Sequence, residues 1–210
     1  IAGLNNSKAV GKVAVAGATA VSNLMIDIRQ KLTELANSSI SASQRTIIQR
    51  DFTELVSQAA NFVSNATYNG FELLTSGAQT VNTLANLAGG QLSLTAQPNV
   101  KILINSLAAS TTTTAVNAQS VVVGQFTALQ TAVAASLGTL GAEVRALDLQ
   151  TGFLEELRDT TTIGLGNIVD ADLARESAKL TSQQIQQELS VQTLSIANTR
   201  PNTILSLFRG

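Results

Sequence analysis

Phe126, Val133, Leu140, Leu147 and Leu154 stand seven residues apart, and Leu137 and Val144 fill the alternate position. A seven-residue apolar repeat keeps one stripe of a helix against a partner along its whole length. A long helix is therefore predicted over about 115–157. Gly124, Gly138 and Gly141 lie inside it, each lowering helix propensity by up to about 1 kcal/mol, so the helix must gain from packing. The N-terminal region repeats the pattern, with Ala14, Ala18, Val21, Met25, Ile28, Leu32 and Leu35 in alternating steps of four and three. After the polar break Asn37-Ser38-Ser39, a second helix is predicted from Ser43, as N-cap, to Asn65. Its expected seam is Ile48, Phe52, Leu55, Ala59 and Phe62. Two helices joined by a short polar loop form an antiparallel hairpin.

Aromatics make up only 3% of the chain, so the core must be built from Ala, Leu, Ile and Val along extended seams rather than from large rings. The fold class expected is mainly α: an elongated helical bundle with coiled-coil seams and a small β-hairpin region. Thr67-Tyr68-Asn69-Gly70 ends the second helix, because Asn-Gly favours positive φ. Residues 71–111 lose the helical period, and LSLTA (92–96) and VKILI (100–104), separated by Gln97-Pro98-Asn99, are predicted to pair as strands. The Ser-Thr run at 110–114 reads as a loop. The expected organisation is a helical hairpin at 1–70, a hairpin and loop region at 71–114, a long helix at 115–165 and a terminal helix with its tail at 166–210.

A break is predicted at Thr160–Gly166, followed by a last helix from Asp170 to Asn198, ahead of Pro201. Ile185, Leu189 and Ile196 share one face of it with Ala171, Ala174 and Ala178; Leu173, Leu180, Val191 and Leu194 fall on the opposite face. A surface helix of a monomer needs one apolar stripe, and two opposed stripes imply neighbours on both sides. Leu205, Leu207 and Phe208 continue the apolar surface almost to the last residue.

Chemistry finds little purchase. With no His and no Cys, the chain has no thiol nucleophile, no imidazole base and no ordinary zinc ligand set; no cofactor or metal site is expected. A net charge of −1 without a basic cluster argues against nucleic acid. No continuous apolar run approaches the roughly 18 residues of a membrane span, and the first residues carry no signal-peptide pattern. The acidic pairs Glu155-Glu156 and Asp170/Asp172 do not converge on a helix, and Asp170 suits a helix N-terminus.

Three stretches carry a family resemblance. VSNATYNGFELL (63–74) resembles the flagellin motif that closes the second N-terminal helix. GNIVDADLARESAKLTSQQIQQELSVQTLSIANTRPNTILSLFRG (166–210) is similar to the C-terminal region of bacterial flagellins. GTLGAEVRALDLQTGFLEELRDT (138–160) resembles the compact flagellins of alphaproteobacteria. The resemblance implies a filament subunit exported unfolded, without a cleaved signal peptide, that polymerises outside the cell with other flagellin subunits, with an export chaperone and a filament cap as further partners. It also implies a D1 bundle, whose seam would include Ile28, Leu32, Phe52, Leu55, Phe62, Val133, Leu140, Leu147 and Leu154, and a C-terminal D0 helix at 167–210. Ile185, Leu189, Val191, Leu194, Ile196, Leu205, Leu207 and Phe208 would then form the assembly interface. No counterpart of the N-terminal D0 helix is found, so the last helix is expected to lack an intramolecular partner. The short middle implies missing or vestigial outer domains.

Two other readings share the terminal-helix plan: a hook–filament junction protein, and a cell-surface homologue binding an acidic polysaccharide through Lys8, Lys12, Arg29, Lys31, Arg45 and Arg50. RQKLTELA (29–36) lies near the register at which an innate immune receptor detects some flagellins, but it departs from the strongly recognised sequence. A solvated helix face beside a seam is the expectation there.

Overall fold

The computed structural model describes the backbone of residues 1–86 and 88–207, and side chains as far as 197 with residue 87 excepted. Helix α1 (Ala2–Leu35) buries Leu4, Ser7, Val10, Gly11 and then the whole predicted seam from Ala14 to Leu35. Helix α2 (Ala42–Asn65) has its cap two residues before the expected one. Ser41 caps it: its hydroxyl accepts from the Gln44 N–H at 3.3 Å while the Gln44 side chain accepts from the Ser41 N–H at 2.9 Å. This reciprocal capping box satisfies two helix-end donors at once, which Ser43 could not do.

The α2 seam also differs from expectation. Phe52, Val56, Ala59 and Val63 are buried, Leu55 is partly buried, and Phe62 is exposed. The reason lies in α1: a methyl added to Gly17 would fall 2.6 Å from Ala66 Cβ and 3.5 Å from the Phe62 carbonyl oxygen. The backbones are too close there to admit a phenyl ring, and the smaller Val63 faces inward. Arg45 ties the connection down, donating to the Leu35 carbonyl and to the Asn37 carbonyl at 3.0 Å.

Strands β1 (Thr67–Tyr68) and β2 (Phe71–Glu72) pair around Asn69 (φ 55°) and Gly70 (φ 80°). Positive φ at both central residues is the tight-turn geometry that Asn-Gly supplies. Tyr68 lies here, 41% exposed. Strands β3 (Val81–Leu84) and β4 (Gln91–Leu94) form the second hairpin, with Val81 opposite Leu94. Residues 100–104 are not its partner. They belong to helix α3 (Asn99–Ala108), which buries Val100, Ile104 and Leu107 in steps of four and three. The β-branched run VKILI suggested a strand, but the helical period won once Pro98 (φ −63°) had set the first turn. Lys101 then reaches α2, donating to the Ala60 carbonyl at 3.0 Å and to Ser64 Oγ at 2.8 Å.

Helix α4 (Ala115–Val121) is capped by Thr114, leads into a π-turn (Val122–Phe126), and continues as α5 (Thr127–Leu207). Buried positions step from Ala118 to Val121, then by five to Phe126, then to Leu129 and Val133. The step of five is one residue too many for an α-helical seam, and a π-turn absorbs such an insertion. The Thr127 hydroxyl donates to the Val122 carbonyl, five residues back, at 2.8 Å.

No break occurs at Thr160–Gly166, and α5 continues beyond Pro201. Glycines lower propensity without removing a hydrogen-bond donor, and a proline deletes one ladder bond rather than the ladder. Asp170 and Asp172 are consequently mid-helix, not at an N-terminus.

The chain divides into two units, Ile1–Glu155 and Glu156–Gly210. In the first, α1, α2, α3, α4 and the start of α5 share one hydrophobic cluster with Leu73, Leu74 and Leu94. Ile28, Leu32, Phe52, Val133, Leu140 and Leu147 are buried in it, while Leu154 packs against it partly buried. No buried side-chain polar atom there lacks a partner among the described residues.

Candidate assembly interface

The described backbone of the second unit, 156–207, is a single helical stretch, and every side chain described from 156 to 197 is exposed. Ile185, Leu189, Val191, Leu194 and Ile196 are 52% to 63% exposed. At 100° per residue, Ile185, Leu189 and Ile196 fall on one face, with Val191 and Leu194 on the other. Leu205 and Leu207 lie on the described backbone but outside the described side chains, and Phe208 lies outside the described residues altogether. Ile163, Leu165, Ile168 and Val169 extend the exposed apolar surface. Sequence reasoning missed these four because it assigned 160–166 to a break and began the last helix only at Asp170; their apolar spacing was the available signal.

The polar residues of this helix are already partly satisfied within it. Thr161, Thr162, Thr181, Ser190 and Thr193 each donate their hydroxyl to a carbonyl four residues back, at 2.6 to 2.9 Å. A hydroxyl bonded to its own helix can leave water without being orphaned. Ion pairs among the described residues include short-range ones: Lys179 with Glu176 at 3.8 Å and Arg158 with Asp159 at 2.8 Å. The surface is thus suited to burial along its length rather than to chemistry at a point. Among the described residues no group of three or more His, Cys, Asp or Glu converges as a metal site.

By mean hydropathy over 18 residues, α1 (1.5) and the helical run Ala115–Ala197 (1.4) are long and apolar enough to cross a membrane. That is a matter of average composition and length alone, and neither helix holds a continuous apolar run of 18 residues. In α1 the residues responsible include the buried seam that faces the chain's own core.

Three of the six basic residues considered for a polysaccharide are already engaged within the chain. Lys8 pairs with Asp148 at 3.0 Å, Lys31 with Asp51 at 3.3 Å and Glu34 at 3.5 Å, and Arg45 is committed to the α1–α2 connection. The hydrogen bond from Lys8, reinforced by its charge, pulls the Asp148 carboxyl below the usual carboxylate range. The hydrogen bond to Asp51 raises the Lys31 ammonium above its ordinary value. In the stretch 29–36, Leu32 and Leu35 are buried.

Comparison with known proteins places this arrangement. Residues 123–208 match the family model of the bacterial flagellin C-terminal helical region. Flagellin FljM of Caulobacter vibrioides is 36% identical over 197 residues, covering 94% of this chain and 72% of that protein. A flagellin of Brucella melitensis is 31% identical over 195 residues, covering 88% of this chain and 68% of that protein. In fold, the chain is similar to the crystal structure of Bacillus cereus flagellin, with a TM-score of 0.62 at 15% identity, over 69% of this chain and 84% of that one. A helical core, a helix carrying two opposed apolar stripes and these relatives lead to one conclusion: the chain belongs to the bacterial flagellin family.

Proposed function

We infer that this chain is a structural subunit of the bacterial flagellar filament, and we propose that residues 166–210 assemble through both apolar stripes with neighbouring copies. The observation that carries the reading is the exposure of Ile185, Leu189, Val191 and Leu194 on opposed faces of the helix that matches the flagellin C-terminal region. Burying such a side chain contributes about 1.5–3 kcal/mol relative to leaving it in water. A surface that meets a different surface on the next copy gives a contact that does not close, and hence a filament.

The flagellar filament is extracellular and structural, and the family's work is motility rather than catalysis. The finer assignments are proposals. The first unit takes the role of D1 and the helix after it that of the C-terminal D0 strand, with Leu205, Leu207 and Phe208 interior in the polymer. Export proceeds unfolded without a cleaved signal peptide, with a chaperone and a filament cap as partners. Support for these comes from the family and from the segregation of buried and exposed apolar residues between the two units.

The test is seeded polymerisation followed by electron microscopy, using sheared flagellar filaments as seeds. It uses the chain as it stands and a version with a flagellin N-terminal helix added ahead of residue 1. At least one is expected to elongate seeds, and Leu189→Asp with Val191→Asp should abolish elongation while leaving the first unit folded. Elongation undiminished by both aspartates, or no elongation by either folded chain, would overturn the reading.

A further inference from the structure

Two packed seven-residue repeats carry an ambiguity. If one helix slides seven residues along the other, every apolar stripe meets an apolar stripe again. Buried residues repeat every seven positions from Phe126, at the end of the π-turn, through α5 to Leu147, and in α1 they do so from Ala14 to Leu35. The apolar seam alone therefore leaves the register of α5 weakly specified.

A second ladder with the same spacing runs along α5, and its members are polar and all different: Ser136, Glu143 and Gln150. Each reaches the segment that carries β3 and β4. The Ser136 hydroxyl lies 3.1 Å from Gln97 Oε1, and also within reach of the Ala132 carbonyl. The Glu143 carboxylate accepts from the Thr95 N–H at 2.9 Å and from the Thr95 hydroxyl. Gln150 Nε2 donates to the Ala85 carbonyl at 2.9 Å. We propose that this ladder is a register lock, in which three non-equivalent polar residues select one docking position of the β3–β4 segment on α5 from those the apolar repeat would allow.

The selection follows from donors and acceptors. If α5 slides so that each position receives the residue seven earlier, the Ala85 carbonyl meets the Glu143 carboxylate, and two acceptors face each other. If it slides the other way, the Ala85 carbonyl meets Leu157, which has nothing to donate, and Glu143 leaves the Thr95 N–H for Gln97. Either slip removes a partner from a polar group that has one, whereas the buried positions 133, 140 and 147 receive another apolar residue in either direction. A polar residue fixing the register of an otherwise uniform apolar interface is a known use of such groups.

The chain has no cysteine, so Asn82→Cys and Ala128→Cys give two unique spin-label sites, one in β3 and one on α5. The experiment is pulsed electron spin resonance on the full chain, with and without Ser136→Ala, Glu143→Ala and Gln150→Ala together. The parent is expected to give one narrow distance. The triple variant should add a population displaced by about 10 Å, the rise of seven helical residues. A triple variant that keeps its helical circular dichroism and its single narrow distance overturns the proposal, even if it melts earlier, because lost stability without a shift is ordinary packing. If the triple variant does not fold, Gln150→Ala alone decides: a second population supports the lock, and an unchanged narrow distance refutes it.

Discussion

A single methyl group separates two kinds of glycine in this chain. At Gly17 a Cβ would lie 2.6 Å from the Cβ of Ala66 and 3.3 Å from Leu74 Cδ1. Ala66 Cβ is fixed to backbone and cannot rotate away. Gly17→Ala should therefore destabilise the first unit by about 1–3 kcal/mol, as overpacking does, measured by denaturant unfolding. At Gly138 nothing lies within 4 Å of the added atom, and Gly138→Ala should stabilise by up to about 1 kcal/mol through helix propensity alone. Charge acts at the same scale. Because Lys8 holds the Asp148 carboxyl below its usual range, the unfolded chain takes up that proton first as pH falls. The contribution is complete above the unfolded carboxylate range and is lost as pH falls through the folded value, below about pH 4. Asp148→Asn should make stability less sensitive to acid, by a small amount because the carboxylate is 64% exposed. Lys31 has the opposite sign: its raised value contributes below the unfolded range and is lost as pH rises through the folded one.

Elements differ in how far their sequence revealed them. Every seam residue predicted for α1 is buried, because a long helix against a core repeats its pattern many times. Two residues of the α2 seam were misplaced by one, Leu55 for Val56 and Phe62 for Val63; Phe62 and Val63 are both apolar, and the proximity of Gly17 decides between them. Helix α3 was read as a strand because five residues are too few to tell a period of two from one of three and a half. The continuity of α5 through 160–166 was hidden by two glycines, which weaken a helix without ending it. The exposed stripes at 185–196 were legible from the angle between them, while those at 163–169 were lost with the supposed break. The π-turn was missed as well, although its signal was present in the step from Val121 to Phe126. It yields a prediction. Deleting Gly124 should restore steps of three and four through the seam and leave the hydrophobic contacts in phase. Helical circular dichroism should be retained and the melting temperature equal to or above that of the parent; collapse of the fold would show that the π-turn has a role beyond accommodation.

Across the whole molecule, the two units divide their apolar residues differently: the first holds a buried core, and every side chain described in the second is exposed. A helix without tertiary packing draws little stability beyond its own propensity. Amide hydrogens from 160 to 197 should therefore exchange orders of magnitude faster than those of α1 in the monomer, and slow sharply in the filament, as read by mass spectrometry. Slow exchange in the monomer would mean that this helix already has a partner. The rarity of aromatics has an optical consequence as well. The chain has no Trp and one Tyr, so Tyr68 is its sole strong intrinsic fluorophore, and it sits 41% exposed at the β1–β2 turn rather than in the core. Melting the core should leave its emission nearly unchanged in wavelength, making intrinsic fluorescence a poor witness to unfolding. The same isolation makes it a clean one for association: a change in its anisotropy or quenching on polymerisation reports the environment of a single known turn.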